Sequence, residues 1–145
     1  MSFHFTPAYR LMDLIRNRQL SAAELMKSTL ARIAEINERV NAIVSLSETE
    51  DLIAAAEAMD LVPMDQRGVL HGLPIAIKDL ADVKGFLTTE GSLIYANRLA
   101  EKDDIIVQRI REAGAIFIGK TNTPEFGLGS HTYNPVFGTT LNPYD

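Results

Sequence analysis

Lys78 directly follows Ile75, Ala76 and Ile77, so an ammonium group stands at the end of a short apolar run that reads as a buried strand. Burial disfavours the charged form of a lysine, and the neutral amine that results is a usable general base. The alternative is a solvated strand end paired with the adjacent Asp79. Residue type and position leave both open. Residues 114–121, Gly-Ala-Ile-Phe-Ile-Gly-Lys-Thr, match the phosphate-binding spacing of a glycine, four residues, then Gly-Lys-Thr. A phosphate loop must follow a strand, be irregular so that its N–H groups converge, and open a helix. Here the four middle residues read as a strand, a helix precedes Gly114, and Pro124 opposes a long helix after Thr121, so no nucleotide site is expected. Ser130 and His131 are chain neighbours, an arrangement that seldom aims a serine oxygen at its neighbour's ring, and no acidic orienter is evident. Loop hydrogen bonding accounts for both. His4, His71 and His131 are far apart and lack ligand spacing with carboxylates, so neither a metal nor a cofactor is implied. The acid pairs Glu48/Glu50 and Asp103/Asp104 stand at helix starts, where the helix dipole explains them.

These groups sit in a chain of 145 residues, 46% hydrophobic and 23% charged, with a net charge of −5. One domain is the default for that length, and a core is attainable without staples. With no cysteine there is no disulfide framework and no thiolate nucleophile. A cytoplasmic location is the expectation. No apolar run approaches the roughly 18 residues that cross a bilayer, and the start, Met1-Ser2-Phe3-His4-Phe5, has neither region of a signal peptide. A pI near 5.2 without a basic patch argues against direct nucleic-acid binding.

The elements that must position the candidates are legible from periodicity. Pro7 precedes Ala8, Leu11, Met12 and Ile15 at helical spacing. Ser21 with Glu24 forms a capping box ahead of Ala22, Leu25, Thr29, Ile33, Ile36 and Val40. Residues 41–45 read as a strand, and Ser47 with Glu50 repeats the capping pattern before Leu52, Ile53, Ala56 and Met59, in a helix that stops before Pro63. Pro74 begins the Ile75-Ala76-Ile77 strand. Asp103 or Asp104 caps a helix carrying Ile106, Ile110 and Ala113, with Gly114 as its stop and Ala115–Ile118 as the next buried strand. Helix, glycine and apolar strand in that order point to an α/β fold. Eight of the nine glycines follow Gly68, so demanding loops belong to the second half, and from Pro124 onward the text reads as a long ordered loop.

Four ordered segments resemble the amidase signature family. They are Gly72–Asp79, Thr88-Thr89-Glu90-Gly91-Ser92, Gly114–Phe126 and Asn134–Asp145. The front segments Leu20–Leu25 and Arg39–Ala42 are also similar, so the resemblance covers essentially the whole chain. It implies the N-terminal part of the amidase signature fold, helices packed on a mixed β-sheet that is incomplete in this chain. Residues 1–62 would be an N-terminal helical region and 63–145 the start of the core with its lysine strand. It also implies acyl transfer on a small-molecule amide by a Ser-cisSer-Lys triad without a cofactor, with Lys78 as the triad lysine, buried and uncharged. Gly127, Leu128, Gly129 and Ser130 would line the acyl side of the substrate pocket.

The sequence departs from the family in one respect. The bridging serine belongs to a Gly-Gly-Ser-Ser-Gly-Gly motif and the nucleophile to a Thr-Gly-Gly-Ser motif, and the seven serines and nine glycines here include neither. The chain is therefore expected to be an inactive N-terminal fragment of an amidase. Two alternatives stand beside this: the glutaminase subunit of a tRNA-dependent amidotransferase, and a truncated scaffold without catalysis. Association with further polypeptide, as a homo-oligomer or as part of a larger chain, is expected because the sheet would otherwise expose apolar surface.

Overall fold

Helix starts in this chain are set by side chains that satisfy free backbone N–H groups. In the computed structural model, which describes residues 3–144, Pro7 precedes α1 (Ala8–Arg16), whose buried side is Leu11, Met12 and Ile15. Met1, Ser2 and Asp145, named above in the start and in the last family segment, lie outside the described residues. The capping box of α2 (Ala22–Val40) forms as expected. The Glu24 N–H donates to the Ser21 hydroxyl at 3.0 Å, and the Ser21 N–H donates to the Glu24 carboxylate at 2.9 Å. The end of α3 (Thr49–Asp60) adds a second anchor, because the Asp60 carboxylate accepts from the Ala22 and Ala23 N–H groups at 2.7 and 3.1 Å.

Removing the cap hydroxyl with Ser21→Ala is expected to cost about 1 kcal/mol, read from urea unfolding. The bond from the Ser21 backbone, reinforced by its hydroxyl, holds the Glu24 carboxyl below its ordinary 4.5. That contribution is fully present above pH 4.5 and is lost as the pH falls through the depressed native value.

Backbone contacts divide the chain into two units, residues 1–35 with 47–75 and 109–118, and residues 36–46 with 76–108 and 119–145. Residues 1–62 and 63–145 each contribute to both. The first unit is built on Leu11, Met12, Ile15, Leu20 and Leu25, with Phe3, Leu14 and Leu73 packed against them. The second capping pattern does not form. The Ser47 N–H donates to the Ile118 carbonyl at 2.9 Å, continuing strand pairing, and α3 starts two residues later at Thr49.

In the second unit Asn41 takes a left-handed φ of +53° and ends α2, while the Asn37 side chain accepts from the Ala42 and Ile43 N–H groups. This turn delays β1 to Ile43–Leu46. β1 pairs antiparallel with β3 (Ile116–Thr121), Ser45 opposite Lys120 and Leu46 opposite Gly119. A Cβ at Gly119 would lie 2.5 Å from the Ser45 carbonyl oxygen, so this crossing requires glycine. The sheet order is β1-β3-β2, with β2 at Pro74–Lys78. The bond from Ile116 N–H to the Leu73 carbonyl and that from Asp79 N–H to the Thr121 carbonyl advance in the same chain direction, as in a parallel pair. The sheet is therefore mixed. A second two-stranded ladder, β4 (Tyr133–Asn134) with β5 (Gly138–Thr139), lies in what reads from sequence as plain loop.

The helix α4 spans Ile105–Glu112 and leaves Ile110 half-buried. Ile106 is 64% exposed, and Val107 is the residue that is fully buried. Ahead of it, Asp103 accepts from the Lys84 N–H at 2.7 Å and Asp104 from the Asp82 N–H at 2.9 Å. These bonds tie the start of the helix to residues 82–84. Gly114, at φ +93°, ends the helix as expected.

Candidate functional site

Alternation along a strand sends consecutive side chains to opposite faces. At the end of β2, Ile77 is buried, Lys78 is exposed and Asp79 is buried again. The expectation of a buried Lys78 is therefore corrected, because it points away from the face that Ile77 and Asp79 share. Asp79 does not serve as its surface partner either. Its carboxylate accepts from the Thr89 N–H at 3.1 and 3.2 Å and from the Thr89 hydroxyl at 2.5 Å. It also lies 3.3 Å from the Nζ of Lys120.

Lys120 is the buried lysine of this protein. It stands in β3, a strand buried on both faces from Ile116 to Lys120, and its side chain is 0% exposed. The ammonium donates to the Ala81 carbonyl at 2.8 Å, the Thr88 hydroxyl at 2.9 Å and the Leu87 carbonyl at 3.3 Å. Burial holds Lys120 below the ordinary lysine range, and the Asp79 carboxylate pulls in the opposite direction. The Gly-Lys-Thr of the phosphate-loop pattern thus lies within a six-residue strand with its lysine turned into the interior.

The Asp79 backbone extends the connections. Its carbonyl accepts from the Glu90 N–H at 3.1 Å, and the Glu90 carbonyl accepts from the Phe126 N–H at 2.7 Å. Glu90 and Phe126 both hold left-handed φ values of +53°, uncommon for residues with side chains. Arg98 braces Glu90 at 3.0 Å and stacks 5.2 Å over the ring of Tyr95, which meets Phe126 edge-on at 6.2 Å. Asn134 closes the far side, donating to Asn122 at 2.6 Å and to the Thr123 carbonyl at 2.8 Å.

Beyond Phe126 opens a cavity of about 420 Å3. Leu128, Gly129 and Ser130 line it with Glu125, Phe126 and His131. Gly127 instead faces Leu80, whose methyl would lie 2.9 Å from any Cβ at that position. The 78–81 turn and the 126–130 loop are thereby in contact. Ser130 and His131 are exposed cavity-wall residues. Among the described residues no group of three or more His, Asp or Glu side chains could hold a metal ion. No helix among them is long and apolar enough to cross a membrane.

The profile of the Amidase family matches residues 24–145. A glutamyl-tRNA(Gln) amidotransferase subunit of Syntrophobacter fumaroxidans is 41% identical over 138 residues, 94% of this chain and 28% of that protein. Among solved structures, the native peptide amidase of Stenotrophomonas maltophilia superposes with a TM-score of 0.86 at 29% identity, over 99% of this chain and 31% of that one. An inhibitor-bound vestigial complex connected with the origins of an s-triazine catabolic enzyme gives 0.87 at 32% identity, over 97% and 31%. The chain thus spans 28% of the length of that curated relative.

Proposed function

Because this chain belongs to the amidase family, we propose that it is the lysine-bearing part of an amide-bond hydrolase in which Lys78 is the general base of a Ser-cisSer-Lys triad. The observation that carries this reading is the placement of Lys78. It ends a parallel strand, its neighbour Asp79 is locked in the interior, and its own side chain is free to meet a serine. General-base work needs the neutral amine, which burial favours. In the described structure Lys78 is exposed, so the cover has to come from the polypeptide that carries the serines.

The chemistry then runs by proton relay. The nucleophilic serine attacks the amide carbon as its proton passes to the bridging serine, whose own proton passes to Lys78 Nζ. Backbone N–H groups hold the oxyanion. The C–N bond breaks as the relay returns a proton to the leaving amine, and water then cleaves the acyl-enzyme ester. The cavity beside Leu128, Gly129 and Ser130 supports their assignment to the acyl side of the substrate pocket. Gly127 belongs to the same wall by holding it against Leu80.

Both serine motifs are absent from the 145 residues, so the purified chain is expected to hydrolyse no simple amide by itself. Turnover that Lys78→Ala abolishes would overturn this. Reading the gene beyond codon 145 tests the wider proposal. A Gly-Gly-Ser-Ser-Gly-Gly motif soon after it is the expected result, and a stop codon in its place would leave a scaffold without catalysis.

A second reading within the family is a glutaminase subunit that delivers ammonia to a partner, favoured by the 41% identity to the amidotransferase relative. Glutamine hydrolysis that depends on a second polypeptide would select it. Leu93, Ile94, Leu99, Ile105 and Ile106 are large, apolar and exposed, which supports association with further polypeptide. Light scattering is expected to show a species heavier than 16.0 kDa, and a compact monomer would count against association.

A further inference from the structure

The buried Asp79–Lys120 pair has no direct part in the proton relay, yet it is built around the residue that does. The Lys78 carbonyl accepts from the Ala81 N–H at 3.1 Å, closing a turn over residues 78–81. The Lys120 ammonium contacts both arms of this turn, the Asp79 carboxylate at 3.3 Å and the Ala81 carbonyl at 2.8 Å. Asp79 is further held through its N–H by Thr121, through its carbonyl by Glu90 and through its carboxylate by Thr89. Every polar group of the residue after Lys78 is therefore bound.

We propose that Asp79 and Lys120 are positioning residues that clamp the 78–81 turn and so fix the Cα and side-chain direction of Lys78. This rests on the reading of Lys78 as general base. A clamp made of charges needs such a reason, since a buried ion pair rarely stabilises a fold more than well-packed apolar residues of similar size. General-base catalysis supplies one. A base misplaced by about 1 Å costs on the order of 10²-fold in rate, and an exposed side chain has no packing of its own to hold it. The clamp acts from the opposite face of the strand and leaves the amine free.

The double variant Asp79→Asn/Lys120→Met separates positioning from simple stability, because it removes both charges and leaves no unpaired ion. The first measurement uses the 145-residue chain. The 15N order parameter of the Lys78 amide is expected to fall from the rigid range near 0.85 while the thermal midpoint stays close to that of the unmodified chain. An unchanged order parameter overturns the proposal. The second uses the full-length enzyme that carries this chain. There the double variant is expected to lower kcat by about 10²-fold with KM little changed, and recovery of kcat together with stability overturns the proposal. Lys78→Ala in the same enzyme distinguishes the two failures. Retained turnover refutes the general-base reading, whereas loss of turnover alongside full activity of the double variant refutes only the positioning role.

Discussion

Lys120→Met alone is expected to destabilise the chain by about 3–5 kcal/mol, the cost of leaving a buried charge without its partner. The Asp79 side chain is 1% exposed, so its carboxylate cannot turn to water when the ammonium is removed. The Ala81 and Leu87 carbonyls and the Thr88 hydroxyl lose their donor in the same step. Adding Asp79→Asn is expected to recover most of the loss, because the amide oxygen still accepts from Thr89 and no ion remains. Urea unfolding of the two single variants and the double closes the cycle. If Lys120→Met costs less than about 1 kcal/mol, in the range of an exposed ion pair, the pair is not the tight buried unit described.

The same group gives the chain a pH signature. Burial lowers Lys120 in the folded state, against about 10.4 unfolded. Between those values the unfolded chain binds more protons, so stability rises with pH across the window and levels off above it. The stability gap between the unmodified chain and Lys120→Met is therefore expected to widen from neutral pH toward about pH 10. A gap that narrows over that range would contradict a lowered Lys120.

Lys78→Ala is expected to lower amide turnover by about 10²–10⁴-fold in the enzyme carrying this chain, the usual contribution of a positioned general base. Its effect on folding should be small, within about 0.5 kcal/mol, because the side chain is exposed and replaces no packing. That contrast makes the variant informative. On the proposed reading one lysine, Lys120, would carry stability and the other, Lys78, chemistry, although both follow apolar strand runs in one sheet. Lys78→Arg should not restore turnover, since a guanidinium does not give up its proton in a protein. Full activity of either variant would remove Lys78 from the mechanism.

Most of the helices and strands can be read from local signals. Ser21 and Glu24 satisfy each other within one turn, Gly114 ends α4, and Pro74 opens β2, each a matter of adjacent residues. The misreadings share one cause, competition from another partner. Ser47 has the residue type for a cap, but its N–H is taken by Ile118, far along the chain. β1 starts at Ile43 and not at Asn41, because the Asn37 side chain takes the Ala42 and Ile43 N–H groups. The 133–139 ladder is too short for periodicity to register.

At the site, the sequence by itself determined the family, the position of Lys78 at a strand end and the rejection of a phosphate loop, because each depends on residue types in fixed order. It also placed Leu128, Gly129 and Ser130 in one segment, and that segment lines a cavity. What only the tertiary structure decided is which lysine is buried. Both follow Ile-rich runs, and either could have been paired with Asp79. Asp79 and Lys120 are 41 residues apart, with α4 and long loops between β2 and β3. Their pairing depends on strand order and on the alternation that turns Lys78 outward and Asp79 inward. Composition and local spacing carry no information about that pairing, because a carboxylate finds its partner by distance in space.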